Sequence, residues 1–540
     1  MTAHCYRFEA KSIQSYLLAT NKLKEIIGGS ELIHALCDGP ANLLDDVLAA
    51  CGLAERQDVR FSRRAGGAFN AFFTTPEQRA RFIALWTLAV AQHAPDLAFQ
   101  SGMGDGANDA EAFDAAETAF HASAAHAPRP IPAGSPVAER NRRSGNTAVR
   151  RRKDGEAVDA ATSRKLAYSR GHMLAARFGD YPPQSWPTLL SPEPDSDRVC
   201  LPFTGEDRTL GLIHADGNGL GQLLITLSAR LKNAPHFVEA FRRFSDAIGD
   251  ATTRAARLAT DAVLVPAQEK GVFPARPIVL GGDDLTIIVR GDLALAFTKA
   301  FLSAFEQTTA EELKGVWEEY AAWGIQTEDL PVDLTACAGI AWFGASQPFN
   351  LAEHLAQGLC AQAKGKAKRH APAGRVPSTV SFHRVTTRFM DDADAVLERE
   401  LTLENEAGHT LRQTLAAYTL DSQSPLPQLS ELETLLATLR DPAMPNGPAR
   451  QVLGLMYEDT AQARIRYERF RTILAKNRKR LLERFDRALE ALLRTEQSDF
   501  DARRSELPYA STPNFSVTPL GDLHALHAVL GNPAPQEDRT

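Results

Sequence analysis

The sequence predicts an α+β protein: two copies of one strand–helix unit, a connector between them, and a helical domain at the C-terminal end. Three observations predict it. A strand followed by a helix, a Gly-Gly turn and a Gly-containing strand recurs in the same order in two regions. Between these regions, residues 126–200 lose the globular pattern to proline and arginine. Beyond them, 384–500 carries long helical periodicity with few β-branched clusters.

In the first copy Tyr6-Arg7-Phe8-Glu9 leads into a helix from Ile13; in the second Ile213-His214-Ala215-Asp216 leads into a helix from Leu220. Laying Glu9 on Asp216 places Ile13 on Leu220 and Tyr16-Leu17 on Leu223-Leu224. Gly66-Gly67 then precedes the apolar Ala71-Phe72-Phe73, as Gly281-Gly282 precedes the strand 285–289. The strand 95–102 ends in Gly102 and the strand 332–339 in Gly339. The loops differ, since 59 residues separate Glu9 from Ala68 and 67 separate Asp216 from Asp283.

The connector holds Pro128, Pro130, Pro132 and Pro136, a basic run over 140–153, one helix around 160–178 and further prolines from Pro182 to Pro194. In the C-terminal domain, 461–494 reads as one amphipathic helix, with Ile465, Phe470, Leu474, Leu481, Leu482, Phe485, Leu489 and Leu492 near helical spacing. After Pro508 the chain is turn-rich and closes in a polar stretch expected to be disordered. The expected domains are 1–125, 126–200, 201–385 and 386–540, consistent with a 540-residue chain too long for one core.

The net charge of -7 removes any whole-chain polycation argument for nucleic acid, so electrostatic partners must be read from local patches. Cys5, Cys37, Cys51, Cys200, Cys337 and Cys360 form no CxxC pair and no disulfide framework. His4, Arg7, Glu9 and Lys11 near the start disagree with a secretory signal. No apolar run approaches the roughly 18 residues of a membrane span. A cytoplasmic protein with no membrane partner is expected.

Chemistry concentrates at Gly281-Gly282-Asp283-Asp284, between the apolar runs 277–280 and 285–289. This reads as a tight hairpin with paired carboxylates at its tip. Gly281 and Gly282 admit unusual backbone angles and let a large ligand approach the main chain. Adjacent carboxylates repel unless a cation neutralises them, and an oxygen-rich set suits Mg²⁺ or Mn²⁺. Asp216 ends its own strand and is followed by Gly217-Asn218-Gly219, a loop whose main-chain N–H groups suit a phosphate. If these strands are neighbours, Asp216, Asp283 and Asp284 hold two metal ions, the arrangement that activates a hydroxyl and stabilises departing pyrophosphate.

These residues resemble the large, polymerase-palm subunit of type III CRISPR effector complexes, whose signature is this Gly-Gly-Asp-Asp hairpin. The likeness extends to Ile13-Gln14-Ser15-Tyr16 with the segment 22–32, to 212–224, to Ala338-Gly339-Ile340-Ala341 and to 358–368. It covers roughly 1–125 and 200–385, with a looser likeness in the C-terminal helices. The resemblance implies two ferredoxin-like palms in pseudo-twofold arrangement, ATP as substrate, a cyclic oligoadenylate as product in antiviral defence, and RNA or other effector subunits as partners. It further implies Lys364, with Lys368 in reserve, as the triphosphate contact, and Ser30 as a contact to an acceptor nucleotide. Three departures stand out. No HD nuclease precedes the first palm, so DNA cleavage is not expected. The segment 136–145 lacks the family's metal-binding cysteines, so no zinc is assigned. Ala68-Phe69 stands where the second copy has Asp283-Asp284, so one metal cluster per chain is expected.

Arg464, Arg466, Arg469, Arg471, Lys476, Arg478, Lys479, Arg480, Arg484 and Arg487 make a basic helix, read first as a solvated face and second as an RNA or partner surface. The 140–153 run is either RNA-contacting or disordered. His214 shares a strand face with Asp216 and reads as a core histidine before a tuning one. Two other enzyme classes fit less well. A diguanylate cyclase hairpin ends in Glu-Glu-Phe or Asp-Glu-Phe, unlike Asp283-Asp284-Leu285, and no separate fingers or thumb of a templated polymerase is evident. A scaffold that holds RNA or nucleotide without turnover is the alternative from another class.

Overall fold

The computed structural model describes residues 2–20, 22–39, 41–123, 137–192, 197–203, 208–232, 234–371, 374–385, 393–404, 410–445, 451–452, 455, 459–511 and 515–530. The prolines from Pro128 to Pro136 and the polar 531–540 lie outside these residues.

The first unit runs β1 (Ala3–Lys11), α1 (Ile13–Leu18), α2 (Leu23–Cys37), α3 (Leu43–Ala50), β2 (Val59–Ala65), β3 (Ala68–Phe73), α4 (Pro76–His93), β4 (Ala98–Gly106) and α5 (Asp109–Ser123). Its fully antiparallel sheet has the order β2-β3-β1-β4, the ferredoxin-like split βαβ arrangement. The period-two pattern of β1 buries Tyr6 and Phe8 while Arg7 and Glu9 stay half-exposed on the other face. Phe8 and Phe69 stack at 5.4 Å, and Trp86 of α4 meets Phe8 edge-on at 5.1 Å. Helix α4 starts at a capping box in which Thr75 and Gln78 exchange hydrogen bonds, followed by Pro76.

The connector contributes β5 (Arg150–Arg151), β6 (Ala157–Val158), α6 (Ala160–Tyr168) and α7 (Met173–Ala176). One helix was expected over 160–178; two form, because the chain turns at 169–172 so that Met173 and Leu174 N–H groups reach the buried Glu31 carboxylate. The basic run is an ordered hairpin. Arg143 there grips Glu25 of α2 at 2.9 Å and also pairs with Glu156, leaving it little freedom for a ligand.

The second unit repeats the first: β7 (Thr209–Gly217), α8 (Leu220–Leu231), α9 (Phe237–Ala259), β8 (Ala275–Gly281), β9 (Asp284–Arg290), α10 (Ala294–Ala322), β10 (Ala336–Gly344), α11 (Phe349–Arg369) and β11 (Thr379–Arg384). Its sheet contains the order β8-β9-β7-β10, strand for strand that of the first unit, extended by β11. The local irregularity in the hairpin repeats too, between Phe61 and Arg63 in one and Pro277 and Val279 in the other. The units pack reciprocally. Helix α2 lies on β8 and α9 lies on β2; Ser30 donates to the Ile278 carbonyl at 2.5 Å, and Phe72 meets Phe237 at 6.4 Å.

Strand boundaries differ from those expected. β4 and β10 do not end in Gly102 and Gly339; both glycines sit inside their strands. A Cβ at Gly102 would lie 2.3 Å from the Ala116 carbonyl oxygen of α5, and one at Gly339 would lie 2.0 Å from that of Ala356 in α11. The glycines therefore mark where a helix crosses its own strand at close range.

The C-terminal region comprises α12 (Ala393–Leu401), β12 (Thr402–Glu404), β13 (Thr410–Arg412), β14 (Tyr418–Thr419) and α13 (Leu429–Leu439), then helices Thr460–Asn477 and Lys479–Leu493, β15 (Ala510–Ser511), β16 (Ser516–Val517) and a last helix Leu520–Leu530. The single long helix expected over 461–494 is a helical hairpin broken at Arg478. Phe470 packs on Phe485 at 5.6 Å, and Arg471 pairs with Asp486 at 2.5 Å. The intervening 475–480 is wholly exposed, so burying both apolar faces requires a turn there. The region is not purely helical: short strands form a sheet β12-β13-β16-β15. After Pro508 the described residues include β15, β16 and the last helix, with Asp522 buried and accepting from the Leu415 N–H at 3.0 Å.

Candidate metal and nucleotide site

Strand β7 pairs with β9 through Ala215 and Leu285, and with β10 through Asp216 and Cys337. That register sets Asp216 beside Asp284. Ligand oxygens of Asp216, Asp283 and Asp284 all lie within 4.8 Å of one another. The three carboxylates identified in the sequence thus converge.

The tip is a two-residue turn, Gly282-Asp283, closed by the pair Gly281 and Asp284, with Gly282 at φ 59°. Gly217 is required opposite it, since a Cβ there would lie 2.6 Å from Asp283 Oδ2. Two residues remote in sequence hold the hairpin: Thr252 of α9 donates to the Gly282 carbonyl at 2.7 Å, and Arg177 donates to the Leu280 carbonyl at 2.7 Å. Neither lies in a motif, and only the fold brings them to the tip.

Burial, then the Asp216 charge, pushes the Asp283 carboxyl up to about 6. Burial and the neighbouring Asp283 charge raise Asp284 as well. Lys364 donates to the Asp216 carboxylate and, at 2.6 Å, to the Gly217 carbonyl. Burial alone works to lower the lysine, but the hydrogen bond and charge of Asp216 outweigh it and raise the ammonium above its ordinary range. Two carboxyls thus remain short of positive charge. An all-oxygen donor set in that condition fits a hard divalent cation such as Mg²⁺ or Mn²⁺.

The loop behind Asp216 differs from the phosphate loop expected. Asn218 is buried; its N–H donates to the Thr335 carbonyl at 2.8 Å and its amide to Thr335 Oγ1 at 3.0 Å. Gly217 belongs to β7, and only Gly219, at φ 77°, stands exposed at the start of α8. Lys368 is exposed one turn beyond Lys364. Ser30 is no open ligand contact: it is buried, and its hydroxyl is spent on the Ile278 carbonyl. His214 is buried beside Thr286 at 3.3 Å, and burial lowers its pKa against the pull of Asp216.

The first unit aligns differently from the sequence reading. Glu9 pairs with Ala68 and Phe8 with Phe69, and the turn is Gly66-Gly67. The register therefore lays Gly67 and Ala68, not Ala68 and Phe69, on Asp283 and Asp284. Phe69 falls on Leu285, and both are fully buried. The two tips touch: a Cβ on Gly281 would lie 3.5 Å from the Gly66 Cα.

Residues 209–373, which span β7 to α11, match the family model described as Cas10/Cmr2, second palm domain. This region of the chain is therefore similar to the second palm domain of Cas10/Cmr2. Within this palm lie all three carboxylates and Lys364. Among solved structures, the Csm1-Csm4 cassette in complex with cA4 is similar at 12% identity and TM-score 0.49, covering 98% of this chain and 69% of that one. Csm1 in T.onnurineus is similar at 14% and 0.46, with 98% and 69% covered. The Csm1-Csm4 subcomplex of the type III-A CRISPR-Csm interference complex is similar at 14% and 0.40, with 70% and 54% covered. No curated protein matches the sequence. Among the described residues no helix is long and apolar enough to cross a membrane.

Proposed function

We propose that the chain is a metal-dependent nucleotidyltransferase that condenses ATP into a cyclic oligoadenylate-type messenger, within a CRISPR-type antiviral response. The observation that carries this reading is the convergence of Asp216, Asp283 and Asp284, two of them with raised pKa values, in a matched Cas10/Cmr2 palm. Such a cluster is unfavourable as an inert surface feature, because burying unneutralised carboxylates is costly.

In this reading the three aspartates hold two Mg²⁺ or Mn²⁺ ions, which supply Lewis-acid activation of a 3′-hydroxyl and charge neutralisation of the departing pyrophosphate. Gly281 and Gly282 let the nucleotide approach the main chain. Gly219 and the start of α8 face the phosphates. Lys364 orients Asp216 and, on exchanging its Gly217 contact for a phosphate oxygen, steadies charge on the leaving group. The first unit supplies the acceptor side and binds no metal, since Gly67 and Ala68 offer no carboxylate.

RNA and further effector subunits are the proposed partners. Exposed Arg466, Arg469, Lys476, Arg480, Arg484 and Arg487 of the C-terminal helical hairpin support a second reading, a binding scaffold without turnover. One assay separates the two: purified protein with each labelled triphosphate and Mg²⁺ or Mn²⁺, with and without RNA, and products identified by mass. ATP-derived oligonucleotides that vanish in Asp283→Ala/Asp284→Ala support the enzyme; no product under any condition supports the scaffold.

A further inference from the structure

The first unit's counterpart of the catalytic face is charged, and its sign is opposite. Across the strands, Arg7 of β1 pairs with Asn70 of β3, which pairs with Arg63 of β2. The corresponding row in the second unit is His214, Thr286 and Val279. One step toward the tip, Glu9 stands where Asp216 stands. Cations surround it: Arg7 bonds Glu9 at 3.3 Å and also pairs with Glu117, and Lys11 bonds Glu9 at 2.6 Å.

Arg63 differs from both. It is exposed and makes no ion pair or hydrogen bond among the described residues. It sits three residues before Gly66, whose Cα abuts Gly281 of the other tip. Its charge reaches Glu9 on its own sheet and Asp283 on the other unit. A free guanidinium beside a carboxylate cluster is out of place if the cluster only binds metal. It is in place if an anion sits between them, because the planar fork matches two phosphate oxygens.

We propose that Arg63 of the first unit is a phosphate-binding residue of the second unit's site, gripping the triphosphate of a nucleotide seated at Asp283 and Asp284. The inference rests on the nucleotide reading of that site and adds to it: the phosphate cradle is shared between units, with Arg63 from one and Lys364 and the carboxylate-bound cations from the other. It gives a physical reason for the second palm to need the first.

The test uses the full chain with Ca²⁺ in place of Mg²⁺, so that binding is measured without turnover. Equilibrium binding of ATP and of adenosine is compared for wild type, Arg63→Ala and Arg63→Lys, together with Mn²⁺ binding in the absence of nucleotide. Loss of a charge-assisted contact is expected to weaken ATP about tenfold or more in Arg63→Ala. Arg63→Lys recovers part of the loss, adenosine binding is unchanged, and Mn²⁺ binding is undiminished. ATP affinity equal to wild type in Arg63→Ala overturns the inference, as does a parallel loss of adenosine or Mn²⁺ binding, which marks a structural defect. A wild type that binds ATP but makes no product removes the catalytic reading and leaves this one standing. A wild type that binds no ATP removes both.

Discussion

The two hairpins share backbone pairing, bulge position and sheet order, yet one tip is apolar underneath and the other acidic. In the first, Gly66 and Gly67 both have positive φ, and a side chain at Gly67 would point at Ile33, Ala10 and Ile13. In the second, only Gly282 does, and Asp283 points at Gly217. The acids one strand away follow suit. At Glu9 burial works to raise the pKa, but Lys11 and the nearby arginines outweigh it and the carboxyl is lowered. At Asp283 burial and the Asp216 charge outweigh Lys364 and Arg63, and the carboxyl is raised. One framework thus neutralises its acid internally, and the other leaves charge for an external cation. A duplicated fold can therefore divide labour by altering two turn residues and the cations around one acid.

The largest expected effect breaks the comparison outright. Asp283→Ala with Asp284→Ala strips the second tip of carboxylates, as the first tip already is, and turnover should fall by about three orders of magnitude or more. Without metal the variant should melt no lower than wild type, because repulsion is removed. Undiminished product from the folded variant would sink the metal assignment. The next tests the register. If Phe69 is the counterpart of Leu285, Phe69→Ala should cost about 3–5 kcal/mol in chemical unfolding, since it removes a ring stacked on Phe8 and set edge-on to Trp86. A near-neutral result would return Phe69 to the tip and restore the one-residue shift.

That shift shows where the sequence was legible. The repeat, its order and its helix starts at Ile13 and Leu220 were readable, because hydrophobic alternation and Gly-Gly turns are local signals. The three carboxylates were readable for the same reason. Aligning the tips by their glycine pairs failed because Gly282, not Gly281, opens the second turn, and only cross-strand pairing reveals that. Thr252, Arg177 and Arg63 were invisible, since each reaches the site through packing between elements far apart in the chain. The break at Arg478 and the short strands of the C-terminal sheet were missed because tertiary burial, not local propensity, decides them.

A smaller effect sharpens the asymmetry at Lys364. Its ammonium contacts Asp216 already, so Lys364→Met should leave nucleotide affinity near wild type. Turnover should drop by about 2–4 kcal/mol in barrier, the loss of a contact that strengthens as pyrophosphate departs. Steady-state kinetics with separate binding measurements check the split. A rise in the dissociation constant that accounts for the whole loss would reassign Lys364 to ground-state binding.

The smallest effect reads the charge imbalance itself. Burial and the Asp216 charge push the Asp283 carboxyl up to about 6 in the folded chain, against about 3.9 for an unfolded aspartate. A raised folded value means that the native state binds this proton more tightly than the unfolded chain does. The carboxyl's contribution to stability is therefore most favourable below about pH 4 and is lost as pH rises through 6. Asp283→Asn removes the titration, so its melting temperature relative to wild type should climb between pH 4 and pH 7 in chelator. With half-exposure discounting the full shift, the gain at pH 7 is about 1–2 kcal/mol. Adding Mn²⁺ at pH 7 should reverse the order, raising wild type above the variant, because the same uncompensated charge then has its cation. Glu9→Gln should behave oppositely, losing stability at pH 7, since Glu9 is already paired with Lys11 and Arg7. If both variants shift in the same direction across that range, the two acids are not differently neutralised and the contrast between the tips fails.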